Sequence, residues 1–197
     1  MNRVTGFLEH RLDAGSPILM GRLPARLRAH DDRFEELWAL HPSEFHEAPL
    51  FGRLVKMPRW QQTFGCDYIY TGSRSNALPV PVAIEPVLRW ARGTIDGRLN
   101  GVLVNWYDGA RGHYIGRHHD KVEELVHDAP IVTISLGERR VFRFRCPGQP
   151  GYTDFDFEDG AVAIVPMTTN ASCTHEVPAS KRLVGRRISV TLRAFEG

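Results

Sequence analysis

The rhythm of hydrophobic and polar positions changes near residue 100. Before it, two stretches carry helical spacing. Phe34-Glu-Glu-Leu-Trp38-Ala-Leu40 follows Asp31-Asp32 as a cap and stops before Pro42. Glu85-Pro86-Val-Leu-Arg-Trp90-Ala-Arg92 has proline in its first turn and Gly93 past its end. Between them Pro79-Val-Pro81-Val82 is extended, because a proline pushes its predecessor out of the α region. Residues 1–50 read as an N-terminal helical extension of the same domain, and residues 51–197 as its body. From residue 101 the chain breaks into β-branched and aromatic runs bounded by Gly, Pro or Asp. These are Val102–Tyr107, Ile131–Leu136, Arg140–Cys146, Ala161–Val165 and Ile188–Phe195. Helices followed by a succession of strands predict an α+β fold with a sheet-on-sheet core. A double-sheet jelly roll (a double-stranded β-helix, cupin-like) behind an N-terminal helical flank is the expected architecture.

Composition narrows this picture without redirecting it. At 197 residues the chain suits a single domain with a full core. Its 42% apolar and 24% charged content is ordinary for a globular protein. No apolar run reaches the roughly 18 residues a membrane span needs, and the segment Met1–His10 lacks the apolar stretch of a secretory signal. The three cysteines, Cys66, Cys146 and Cys173, are odd in number, far apart and outside any Cys-x-x-Cys pattern. They predict reduced thiols in a cytoplasmic protein, or a nuclear one if the source is eukaryotic. A net charge of +2 permits a nucleic-acid partner without arguing for one. Basic residues cluster at Arg53, Lys56 and Arg59 and again at Lys181, Arg182, Arg186 and Arg187. Such runs are most often solvated faces.

The chemistry concentrates in the second half. In a strand, residues i and i+2 share a face, so His118 and Asp120 can converge on one ion while His119 points elsewhere. With His175 they form the two-histidine, one-carboxylate set of a non-haem Fe(II) oxygenase, which leaves coordination positions open for cosubstrate and dioxygen. His113 and His127 have no such partners and read as structural. Arg187 and Arg193, six apart on one strand, also face the same way. A guanidinium fork grips a carboxylate with two hydrogen bonds, so the pair suits the two ends of a dicarboxylate such as 2-oxoglutarate.

These residues sit in a wider pattern, Asn105-x-Tyr107, His118-x-Asp120, Ser135-Leu-Gly137, His175 and Arg187-x-Ser-x-Thr191-x-Arg193. The pattern resembles the AlkB family of Fe(II)/2-oxoglutarate dioxygenases, and within it the branch that repairs alkylated duplex DNA. The resemblance runs from about Phe51 to the C-terminus. It implies Fe(II) on His118, Asp120 and His175, and 2-oxoglutarate on Asn105, Tyr107, Arg187 and Arg193, with O2 as oxidant. It implies a flipped base stacked on Tyr70, in the strand Tyr68-x-Tyr70, and Phe51 as the wedge filling the gap in the duplex. Lys181 and Arg182 would contact phosphates. Family enzymes hydroxylate an N-methyl group, and the resulting hemiaminal releases formaldehyde. The expected partner is alkylated DNA or RNA, with a small-molecule or protein side-chain substrate as the alternative and a monomer as the assembly. The chain departs from the branch at Val122, where the repair enzymes carry an acidic residue that meets the alkylated base. Glu123 or Glu124 could take that part after a small shift.

Overall fold

The structure is a computed structural model that describes residues 4–28, 31–50, 52–70 and 73–196. The chain enters through a hairpin of β1 (Leu8–Arg11) and β2 (Pro17–Arg22), followed by α1 (Asp31–Trp38). A second hairpin joins β3 (Glu47–Leu50) to β4 (Arg53–Lys56). After β5 (Trp60–Phe64), a third joins β6 (Tyr68–Tyr70) to β7 (Ser73–Ser75). Next come α2 (Glu85–Thr94), the long β8 (Gly101–Asp108) and β9 (Ile115–His118). β10 (Ile131–Gly137), β11 (Arg140–Arg145), β12 (Thr153–Phe157) and β13 (Ala161–Val165) follow. A short helix, α3 (Met167–Ser172), leads into β14 (Thr174–Val177), and β15 (Arg186–Arg193) is the last strand.

Two antiparallel sheets form the jelly-roll core. The larger has the order β1-β2-β13-β10-β15-β8-β5 and the smaller β12-β11-β14-β9. Strict alternation in the central strands of the large sheet separates two environments. Val102, Val104 and Trp106 of β8, Val132, Ile134 and Leu136 of β10, and Ile188, Val190 and Leu192 of β15 join one apolar cluster with Leu37, Val87 and Ala91 of the helices. Each such side chain contributes about 1.5–3 kcal/mol by leaving water. Trp106 is fully buried there, and its indole N–H donates to the Leu37 carbonyl at 2.9 Å, tying α1 to the sheet without leaving a polar atom stranded. The opposite face looks toward the small sheet. There Tyr107, Ile131, Phe142, Phe144, Phe157 and Val177 pack into a second cluster, and the polar members of β8, β10 and β15 are enclosed between the sheets.

Several local expectations change. The N-terminal segment supplies the expected α1 but also β1 and β2, and β2 is hydrogen-bonded to β13 in the large sheet. α2 runs through Gly93 to Thr94, with the Ile95 N–H closing on the Ala91 carbonyl at 2.8 Å. Cys146 and Cys173 are not reduced thiols; they form a disulfide, and Cys66 is free. The register explains the pairing. β11 and β14 set Phe144 opposite His175 and Arg145 opposite Thr174, so Cys146 and Cys173 are the next pair along. No described helix is long and apolar enough to cross a membrane.

Candidate active site

The small sheet brings the two histidines together. β14 and β9 pair with His175 directly opposite His118, and their ring centroids lie 4.4 Å apart. β9 ends at His118, so Asp120 reaches the same point from just beyond the strand. The His118 and His175 Nε2 atoms lie 3.6 and 3.9 Å from Asp120 Oδ1. One ligand atom from each residue falls within 4.8 Å of the others.

The surroundings prepare each group to ligate. His118 Nδ1 lies 2.8 Å from the Gly116 carbonyl, a bond that puts the proton on Nδ1 and leaves the Nε2 lone pair facing the centre. Burial, with His118 beside it, pushes His175 down to about 3, so its imidazole is neutral at physiological pH. Burial alone would raise the Asp120 carboxyl. The Arg193 guanidinium, together with both histidines, outweighs that and holds it well below the usual carboxylate range. Arg193 Nη2 donates to Asp120 Oδ2 at 2.9 Å, leaving Oδ1 toward the histidines. Two imidazoles and an ionised carboxylate fit a divalent iron.

The cavity beside this centre is floored by the polar face of the large sheet. It is lined by Asn105 and Tyr107 of β8, Thr133 of β10, and Arg187, Ser189, Thr191 and Arg193 of β15, along with His118, Asp120 and His175. Cross-strand register sets Tyr107 beside Arg187 and Asn105 beside Ser189. Arg187 is 1% exposed, donates from Nε to Ser135 Oγ at 2.8 Å and lies 5.0 Å from the Tyr107 ring. Burial lowers it to about 10, so it stays a cation at neutral pH. Its Nη1 is buried without a hydrogen-bond partner. A buried, unanswered N–H on a cation calls for an anion, and a carboxylate supplies one. Arg59 Nε donates to Asn105 Oδ1 at 2.7 Å, which orients the amide so that its NH2 is the group able to donate to a ligand.

The remaining sequence candidates fall in three places. Tyr68 is buried at the cavity wall, with Arg193 4.7 Å from its ring centroid. Tyr70 lies in β6, and Phe51 lies outside the described residues. Lys181 and Arg182 are exposed in the loop between β14 and β15. Glu123 and Glu124, but not Val122, line a neighbouring cavity of about 260 Å³ with Tyr68, Lys121, Leu125 and Phe195. Sequence reading missed Asn170 of α3, whose side chain bonds the Asp120 backbone. No periodic signal marks it, because its partner is fifty residues away.

Known proteins converge on the same reading. The family model described as the 2OG-Fe(II) oxygenase superfamily matches residues 25–193. The chain is 26% identical over 196 aligned residues to a protein named DNA oxidative demethylase ALKBH2 from Homo sapiens, covering 92% of this chain and 73% of the relative. It is 31% identical to the Mus musculus protein of that name, covering 73% of this chain and 64% of the relative. Two solved structures share the fold. One is described as the structure of OsALKBH1 (TM-score 0.59, 17% identity, 94% of this chain and 99% of that one). The other is an oxidoreductase of the 2OG-Fe(II) oxygenase family from Burkholderia pseudomallei (TM-score 0.57, 20% identity, 89% and 84%). With the family match spanning most of the sequence and running through every residue that converges on the cavity, the chain belongs to the 2OG-Fe(II) oxygenase superfamily, as an AlkB-like Fe(II)- and 2-oxoglutarate-dependent dioxygenase.

Proposed function

We propose that this dioxygenase removes alkyl groups from the bases of DNA by oxidation. The observation that carries the reading is its similarity, over 73–92% of its length, to relatives named DNA oxidative demethylase. Fe(II) would sit on Nε2 of His118 and His175 and on Oδ1 of Asp120. 2-Oxoglutarate would meet Arg187, Tyr107 and Asn105, with Arg193 nearer the metal. When bound, iron and 2-oxoglutarate supply the activation of dioxygen that converts a substrate C–H to C–OH, releasing succinate and carbon dioxide. On an N-methyl group the product is a hemiaminal, which breaks down to formaldehyde and the unmodified base.

The chain's own residues would do the rest. Arg193 fixes the second oxygen of Asp120, and burial keeps His175 unprotonated. A base stacked in a duplex cannot reach this centre and has to be turned out of the helix. Tyr70 would stack on one face of the base, with the His118 ring toward the other and Tyr68 alongside at the cavity wall. Leu54 and Val55 of β4, 72% and 39% exposed, give the β3–β4 hairpin exposed apolar side chains suited to the vacated gap, and Phe51, which the family resemblance makes the wedge, lies outside the described residues. Glu123 or Glu124 would meet the positive charge of the alkylated ring in place of residue 122. Lys181 and Arg182 would anchor the phosphate backbone.

The test is release of succinate and formaldehyde from Fe(II), ascorbate, 2-oxoglutarate and an oligonucleotide carrying one N1-methyladenine or N3-methylcytosine. Both products should rise with the methylated strand and not with its unmethylated control. Turnover indifferent to the oligonucleotide would refute DNA as substrate and favour a small molecule or protein side chain.

A further inference from the structure

The bonding of Asp120 points to a residue outside the ligand set. Asp120 lies past the end of β9, where its backbone N–H and C=O have no ladder partner. Buried main-chain groups must be answered somewhere. Both are answered by one side chain. Asn170 Oδ1 accepts from the Asp120 N–H at 2.9 Å, and Asn170 Nδ2 donates to the Asp120 carbonyl at 2.9 Å. The carboxamide thus stands in for an absent strand, bonding one residue from both sides as a β-ladder neighbour would. A third bond, between His119 Nδ1 and the Asn170 carbonyl, holds the adjoining residue to the same turn.

Asn170 is itself 2% exposed and held on a fixed platform. Its neighbour Thr169 donates from Oγ1 to the Pro17 carbonyl at 2.6 Å, joining α3 to β2. The residue capping the helix, Cys173, is disulfide-bonded to Cys146. α3 is therefore fastened to both sheets, and its one buried amide is aimed at the backbone of Asp120.

We propose that Asn170 is the positioning residue for the metal site: its carboxamide sets the backbone of Asp120 so that Oδ1 meets the two histidines while Oδ2 meets Arg193. The proposal rests on His118, Asp120 and His175 being the metal ligands. Residues that orient a ligand commonly change metal affinity by about 10- to 100-fold when removed. Alanine at 170 leaves both main-chain groups of Asp120 unanswered and frees the turn to move.

The experiment is Co(II) titration of the metal-free protein, followed by calorimetry and by the visible ligand-field spectrum. The proteins are wild type, Asn170→Ala, Asn170→Asp and Ser172→Ala. Ser172 is exposed and bonds only the Thr168 carbonyl of its own helix, so its replacement reports on α3 stability alone. Asn170→Ala should bind Co(II) about 10- to 100-fold more weakly and alter its spectrum, while Ser172→Ala matches wild type in both. If the alanine variant does not fold, Asn170→Asp serves instead. It keeps the size and the acceptor but loses the donor, and should also weaken binding and alter the spectrum. Wild-type affinity and spectrum in a folded position-170 variant, or the same loss in Ser172→Ala, would overturn the proposal. A wild-type protein that binds no Co(II) at all would overturn the ligand assignment itself, a result distinct from the others.

Discussion

Arg187 and Arg193 occupy one strand face, yet the structure gives them different neighbours, and exchanging each for lysine should separate the roles proposed for them. Arg193 is bonded to Asp120, so part of its cation is already committed to a proposed metal ligand. Among the described residues Arg187 has no acidic partner of that kind; it has Ser135, the Tyr107 ring and a buried Nη1 without a hydrogen-bond partner. Six residues of strand put their Cα atoms about 20 Å apart, beyond the range at which substitutions usually couple. Lysine at 187 keeps the charge but cannot present a planar fork. It should forfeit one charge-assisted hydrogen bond to the cosubstrate, worth about 1.5–3 kcal/mol. At about 1.4 kcal/mol per factor of ten, the dissociation constant of 2-oxoglutarate should rise about 10- to 150-fold. The assay is calorimetric titration of 2-oxoglutarate into Mn(II)-loaded protein without oxygen, after a separate Mn(II) titration. Arg187→Lys should weaken 2-oxoglutarate and leave Mn(II) unchanged, whereas Arg193→Lys should weaken Mn(II) as well. An unchanged 2-oxoglutarate constant in Arg187→Lys, or equal loss of Mn(II) in both variants, would show that the strand does not divide the two tasks in this way.

Three further outcomes follow from the same geometry. Replacing Lys181 and Arg182 together with glutamine should lower the slope of log affinity for duplex DNA against log salt by about 2, roughly one unit for each phosphate no longer neutralised; an unaltered slope makes them bystanders. In the metal-free protein, His175 takes a proton only near 3, against about 6.5 in the unfolded chain, so the unfolded state binds more protons between those values and stability falls as pH drops through that window. His175 alone should cost about 1.4 kcal/mol between pH 8 and pH 5.5, seen as a difference in urea-unfolding profiles between wild type and His175→Asn, and parallel profiles would contradict it. Opening the Cys146–Cys173 disulfide, which spans 27 residues, should reduce stability by about 3–4 kcal/mol on loop-closure grounds. Comparing wild type with a Cys146→Ser, Cys173→Ser double variant in denaturant tests this, and equal midpoints would count against it.

The parts of this fold that could be read in advance are those whose signal lies within one strand. β8, β10, β13 and β15 are dense in β-branched residues and bounded by turn formers, and each was visible. β9, β12 and β14 were not. Ile115-Gly-Arg-His118 and Thr174-His-Glu-Val177 are too short and too polar to announce themselves, and they become strands by pairing with each other and with β11. β1 and β2 escaped for a related reason. Their place is set by β13, more than a hundred residues away in sequence, and no local pattern encodes that distance. Cys146 and Cys173 belong to the same class, as adjacency across a ladder that spacing along the chain conceals.

The site divides along the same line. A period of two reaches only along a strand, so it could set Arg187 and Arg193 on one face and leave them as a candidate grip. It could not show that Arg193 also answers Asp120, since that contact crosses between sheets. His118, Asp120 and His175 stand out by residue type as an iron ligand set, because few other combinations suit an iron that must keep positions open, and the fold brings their ligand atoms within 4.8 Å of one another. What holds the aspartate in place was not legible, because an asparagine in a short polar helix looks like any turn residue until its partner is known. The chemistry of a ligand is written in the ligand, whereas its positioning is written in whichever residue the fold brings to its backbone. For Asp120 that residue is Asn170, and only the three-dimensional register of α3 against the end of β9 reveals it.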